Sequence, residues 1–139
     1  MRRSLIIFAA ALLIQFAIGV QTTTAQEDLG RLLQQLEDDS DRFSNTVAKA
    51  LDKSSYDGTA AEDEMVRYVR DFEDAIDRLK NAYDNRGDRV THGKAVQTRA
   101  KAIDKFLKKN SLGDTVATDW GTVRADLLRL ARALNIKAS

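Results

Sequence analysis

Apolar residues recur every three or four positions in four separate stretches of this sequence, which restricts it to amphipathic helices that bury one face each. From about Glu27 to Lys53 the stripe runs Leu29, Leu33, Leu36, Ser40, Phe43, Val47 and Ala50, with Ser40 its only polar member. From about Ala60 to Arg86 it runs Met65, Val69, Phe72, Ile76, Leu79 and Tyr83. Val96, Ala100, Ile103 and Leu107 mark a third helix from about Lys94 to Lys109, with Phe106 alongside. Trp120, Val123, Leu127, Leu130 and Leu134 mark a fourth from about Ala117 to Ile136. The chain has no proline, so nothing in it removes a helical amide or clashes with the preceding turn.

The breaks between stripes carry their own chemistry. Ser54 to Gly58 supplies a turn, and Thr59-Ala60-Ala61-Glu62 has the spacing of a capping box, in which the threonine oxygen and the glutamate satisfy free amides at a helix start. Gly87, after Asn85-Arg86, is placed to take the left-handed conformation that ends helices. Lys108 and Lys109 suit the negative end of the third helix dipole, and Thr115 or Thr118 is placed to cap the fourth helix. Four such helices with short connections predict an all-α fold, an antiparallel four-helix bundle of two helical hairpins.

The first 25 residues predict something else. Arg2 and Arg3 precede the uninterrupted apolar run Leu5–Ile14, and Thr23-Thr24-Ala25 offers small residues for cleavage, leaving Gln26 as the new N-terminus. Cleavage after Gly19 is the weaker alternative. An uncleaved anchor fits less well, because a spanning helix needs roughly 20 mostly apolar residues and Gln15 interrupts this one. The expected organisation is therefore a signal peptide over 1–25 and one helical-bundle domain over 26–139, in a periplasmic or secreted protein. That domain is long enough to bury a single core. With no cysteine in the chain, disulfides, thiol catalysis, thiolate metal sites and a lipidated cysteine at the cut are all excluded.

Charge is divided along the chain. Residues 26–89 hold 17 acids and 10 bases, net −7, and residues 90–139 hold 4 acids and 10 bases, net +6. The simplest expectation is that the acidic first hairpin pairs with the basic second. The basic residues Lys101, Lys105, Lys108, Lys109, Arg124, Arg129 and Arg132 would suit an anionic polymer, but no interleaved aromatic residues suggest base stacking.

The candidate chemical residues resolve into structural ones. His92, the one histidine, falls in a polar, glycine-flanked stretch predicted to be a solvated loop, and a di-metal bundle needs two Glu-x-x-His motifs. Asp52 to Gly58 fails as a calcium loop, with its glycine one place late and Tyr56 at a ligand position. Glu37, Asp38, Asp39 and Asp41, and Glu62 to Glu64, read as solvated helix faces. Asp71, Asp74 and Asp77 with Arg67, Arg70 and Arg78 form a charged face without a pocket, which is what a carboxylate hydrolase would require. Trp120 lies in register with the core. No catalytic, cofactor-binding or metal-binding residue is expected.

The segment Trp120-Gly121-Thr122-Val123-Arg124-Ala125-Asp126-Leu127-Leu128-Arg129-Leu130-Ala131, with Asp57-Gly58-Thr59 and Asp71-Phe72-Glu73-Asp74-Ala75, resembles an uncharacterised family of small exported bacterial helical proteins. Its members share a Trp, a spaced Arg-x-Asp-Leu and a following Leu-Ala, after a helix containing Phe-Glu. The resemblance covers about residues 37–136; Leu134-Asn135-Ile136 departs from the family's aromatic ending. It implies a helical exported protein and no activity, cofactor or site residue. The functional expectation is an exported, non-enzymatic module acting through contacts with an unidentified protein partner, as a monomer or weak homo-oligomer. It binds no nucleic acid and, once cleaved, has no stable membrane anchor. The alternatives are a periplasmic stress or chaperone-like protein and, least favoured, the carboxylate hydrolase.

Overall fold

Each apolar stripe needs a partner to cover it, and the computed structural model, which describes residues 19–138 with side chains from Asp28 onward, shows how they cover one another. Four helices follow in order: α1 (Gly19–Asp52), α2 (Ala60–Asp84), α3 (Arg89–Lys109) and α4 (Asp114–Ala133). They form an antiparallel four-helix bundle. α2 packs most extensively on α3, and α1 on α4; α1 and α2 share less, α3 and α4 least, and the diagonal α2–α4 pair meets only through core side chains. The outer faces of the α1–α2 and α3–α4 seams therefore lie on opposite sides of the molecule.

The core is built from the anticipated stripes. Leu33, Leu36, Phe43, Met65, Phe72, Ile76, Leu79, Val96, Ile103, Leu127 and Leu130 are all buried. Trp120 sits among them, its ring 4.9 Å from Phe43 and 5.7 Å from Phe72, and its indole nitrogen donates to Asp104 Oδ1 at 2.8 Å. Leu51 and Val116, outside the stripes read from the sequence, are also buried, while Leu107 is only partly so.

The boundaries differ from expectation where local chemistry won. α1 begins at Gly19 rather than near Glu27, so its first seven residues fall in the stretch read as a signal peptide; residues 1–18 lie outside the described residues. α3 begins at Arg89 rather than Lys94. Asp88 caps it, accepting from the Thr91 amide at 2.9 Å and the Thr91 hydroxyl at 2.7 Å. Gly93 is thus inside a helix, where the α4 end crosses close by: a Cβ there would lie 2.3 Å from Leu134 Cδ1.

α4 begins at Asp114, with Gly113 at the cap in the left-handed region (φ 97°) and no side-chain cap from Thr115 or Thr118. It ends at Ala133 rather than Ile136. At the end of α2 the left-handed residue is Arg86 (φ 54°), not Gly87. The Gly87 amide bonds Ala82 O and the Arg86 amide bonds Tyr83 O, the double closure that terminates many helices. Asn135 repeats the arrangement after α4. The capping box forms with one change: Thr59 accepts from the Glu62 amide, but Glu62 reaches back to the Gly58 amide, one residue before the cap.

Candidate functional site: a buried acid pair and a basic face

Antiparallel packing of α1 on α4 sets Gln35 opposite Arg129, Asp39 opposite Asp126 and Thr46 opposite Asp119. Thr46 Oγ1 donates to Asp119 Oδ2 at 2.6 Å, and Arg129 Nη1 donates to Gln35 Oε1 at 3.2 Å. Between these ties two carboxyl groups are enclosed: Asp39 is 6% exposed and Asp126 only 1%. Each has one guanidinium from its own helix, three residues on. Arg42 Nη2 lies 2.9 Å from Asp39 Oδ1, and Arg129 Nη1 lies 2.8 Å from Asp126 Oδ1. Both arginines are more than half exposed, so each pair is buried at its acid end only. Asp126 Oδ2 and the neighbouring Ser40 Oγ are buried without a hydrogen-bond partner.

Burial pushes the Asp126 carboxyl above the usual carboxylate range; the Arg129 bond opposes this, and the neighbouring Asp39 carboxyl adds to it. Beside the pair, an open groove of about 560 Å³ runs between α1 and α4, lined by Leu29, Leu32, Gln35, Arg129 and Ala133 with Asp28 and Arg31 at its rim. Arg129 is common to groove and acid pair.

Asp39 is thus not on a solvated face, and the arginine three residues after it, like Arg129 after Asp126, gave no sign of its burial. His92 is likewise not in a loop. It is half-buried in the first turn of α3 and lines a cleft of about 130 Å³ with Asp71, Asp74, Arg78 and Arg99. Among the described residues no group of three or more His, Asp or Glu side chains is arranged to hold a metal ion. No helix among them is long and apolar enough to cross a membrane. Trp120 takes its expected place in the core.

The basic half is arranged differently from expectation. The ion pairs among the described residues are Arg42–Asp39, Lys80–Glu37, Arg124–Asp104 and Arg129–Asp126; none joins the acidic half to the basic half. The reason is packing: α1 meets α4, and α2 meets α3, through apolar stripes, which leaves the charged faces turned outward. Lys94, Lys101, Lys105 and Lys108 are exposed along α3, with Arg124 and Arg132 exposed on α4. The one acid of α3, Asp104, is occupied by Trp120 and by Arg124 at 3.6 Å. On the opposite side, Glu73 is raised above the usual carboxylate range, first by burial and then by Asp41, Asp77 and Asp74, against a bond from Ser44 that lowers it.

The fold and these features define a four-helix bundle with one basic face and one buried acid pair. No family model matches the sequence, and no curated protein or solved structure matches it either.

Proposed function

We propose that this protein is an exported, non-enzymatic helical module that works through protein contacts, and that its contact surface is the basic outer face of α3 and α4. The observation carrying this reading is the row of exposed lysines on α3, continued by Arg124 and Arg132, which no carboxylate of the acidic half neutralises. A one-signed surface of this kind accelerates encounter with a partner of opposite charge and selects against others. The partner class is therefore a protein with an acidic surface. Export rests on residues 1–25, with Gln26 as the N-terminus after cleavage.

A client-binding, chaperone-like role draws less support. The exposed large apolar residues, Val66, Val90 and Leu128, lie on three different helices, whereas apolar recognition surfaces are contiguous. The test is capture from an envelope extract with wild type and with a Lys101→Glu, Lys105→Glu double variant. A specific partner that is lost both in the variant and at raised salt is expected. Capture that ignores both changes refutes the basic face. For export, mass spectrometry of protein from the native host should give a chain beginning at Gln26, and intact Met1 in the membrane fraction would refute it.

A further inference from the structure

We propose that Asp39 and Asp126 share one proton across the α1–α4 seam, and that its loss loosens α4 from α1, making the seam a pH-responsive latch beside the groove.

The argument begins with hydrogen-bond accounting. A carboxylate oxygen is acceptor-only, and a buried one without a donor is costly. Arg129 supplies a donor to Asp126 Oδ1 and Arg42 to Asp39 Oδ1, which leaves Asp126 Oδ2 buried with none. The flanking Thr46–Asp119 and Arg129–Gln35 ties set Asp39 opposite it on α1, and two ionised carboxylates enclosed together repel. A single proton removes both defects, because one carboxyl then donates to the other, as in carboxyl pairs whose like charges cannot both be borne. The neighbouring groups do not supply an alternative. Arg42 and Arg129 lie on the solvent side, each at the oxygen it already holds. α3, the other helix packed on α4, presents Gln97, a neutral amide that donates to Leu127 O at 2.8 Å. α2 meets α4 through the Phe72–Trp120 ring contact, not through a charged group, and its Lys80 is engaged with Glu37.

The sign of the pH effect follows. The Asp126 carboxyl, enclosed in the seam, has a folded-state pKa above its unfolded value of about 3.9. Its contribution to stability is fully present below that value and is lost as pH rises through the folded pKa. Above it, a second negative charge enters the seam. Arg129, which also ties Gln35 across the seam and lines the groove, is then drawn to the acids. The groove therefore changes shape and charge with the protonation state of the pair. This holds whatever the partner at the basic face.

Asp126→Asn tests it, since the amide donates to Asp39 in place of the proton while its oxygen still accepts from Arg129. Denaturation midpoints of wild type and Asp126→Asn are to be compared across the mildly acidic to mildly basic range, with hydrogen exchange of α1 and α4 amides measured at matched pH. The difference between the two proteins should grow with pH, the variant becoming the more stable, and wild-type amides at the seam should exchange faster relative to the variant. A parallel pH profile for the two proteins overturns the proposal. Infrared spectroscopy gives a second readout, taken in a Glu73→Gln background because burial raises Glu73 as well. A protonated-carboxyl C=O band that persists above the pH at which exposed carboxyls ionise is expected, and its absence refutes the shared proton. Asp39→Asn should remove that persistent band, because the amide donates to Asp126 in place of the shared proton, and a band unchanged in this variant also refutes the sharing.

Discussion

Phe72→Ala removes the side chain around which three helices meet. Phe72 is fully buried on α2, its ring edge-on to Trp120 of α4, which in turn lies against Phe43 of α1. Truncation loses the transfer free energy of the ring and leaves a cavity that rigid neighbours cannot collapse, a cost of about 3–5 kcal/mol. The aromatic contact with Trp120 accounts for roughly 0.5–1.5 kcal/mol of that. A domain of this size has about 5–15 kcal/mol in all, so the variant should fold but sit near the limit. With a urea slope of about 1–3 kcal/mol/M, the midpoint should fall by roughly 2 M. Trp120, the single tryptophan, lies 5.7 Å from the altered ring and reports the transition by fluorescence, with circular dichroism as a second probe. Asp74→Ala, exposed on the same helix, is the control and should change stability by less than about 0.5 kcal/mol. Equal midpoint shifts for the two variants would refute the placement of the α2 stripe against Trp120.

Thr59→Ala removes the oxygen that accepts from the Glu62 amide and should cost about 0.5–2 kcal/mol; an unchanged melting midpoint would show the cap to be unimportant. Gly93→Ala gains about 1 kcal/mol of helix propensity but sets a Cβ against Leu134 Cδ1, and overpacking costs roughly 1–3 kcal/mol. It should therefore stabilise a Leu134→Ala background by more than it does the wild type, and equal effects in both backgrounds would disprove the close approach. The Asp88 carboxyl is held below the ordinary range by the Thr91 amide and hydroxyl. That contribution is present above the unfolded pKa and is lost as pH falls through the folded one. Asp88→Ala should accordingly melt below wild type near neutrality and converge with it in acid, opposite in sense to Asp126→Asn; a gap that persists in acid would mean the cap acts through something other than the carboxylate.

How much was legible depended on whether a residue's role is local. The stripes Leu33–Leu36–Phe43 and Met65–Val69–Phe72–Ile76–Leu79 could be placed by period alone, because a helix fixes which residues share a face. Thr59 and the α1–α2 turn could be placed by cap chemistry. The start of α3 could not: Gly93 argues for a loop when neighbours in sequence are all that is seen, whereas in the fold it lies in a helix directly beneath the Leu134 and Ile136 side chains. Arg86 took the left-handed position because the two closing hydrogen bonds of the α2 end require that residue, not its glycine neighbour, to turn.

The same division separates the two functional features. By itself the sequence determined four amphipathic helices, the capped α1–α2 turn and the basic stretch of α3, since each depends on residues only a few positions apart. Only the tertiary structure decided that α1 lies on α4 and α2 on α3, and hence that the opposite charges of the two halves face outward instead of pairing. It also decided that Asp39 and Asp126, far apart in the chain and each beside an arginine that suggests a surface ion pair, meet inside the seam. Burial and like charge act through space, and no pattern of neighbours along the chain reveals which two acids will be enclosed together.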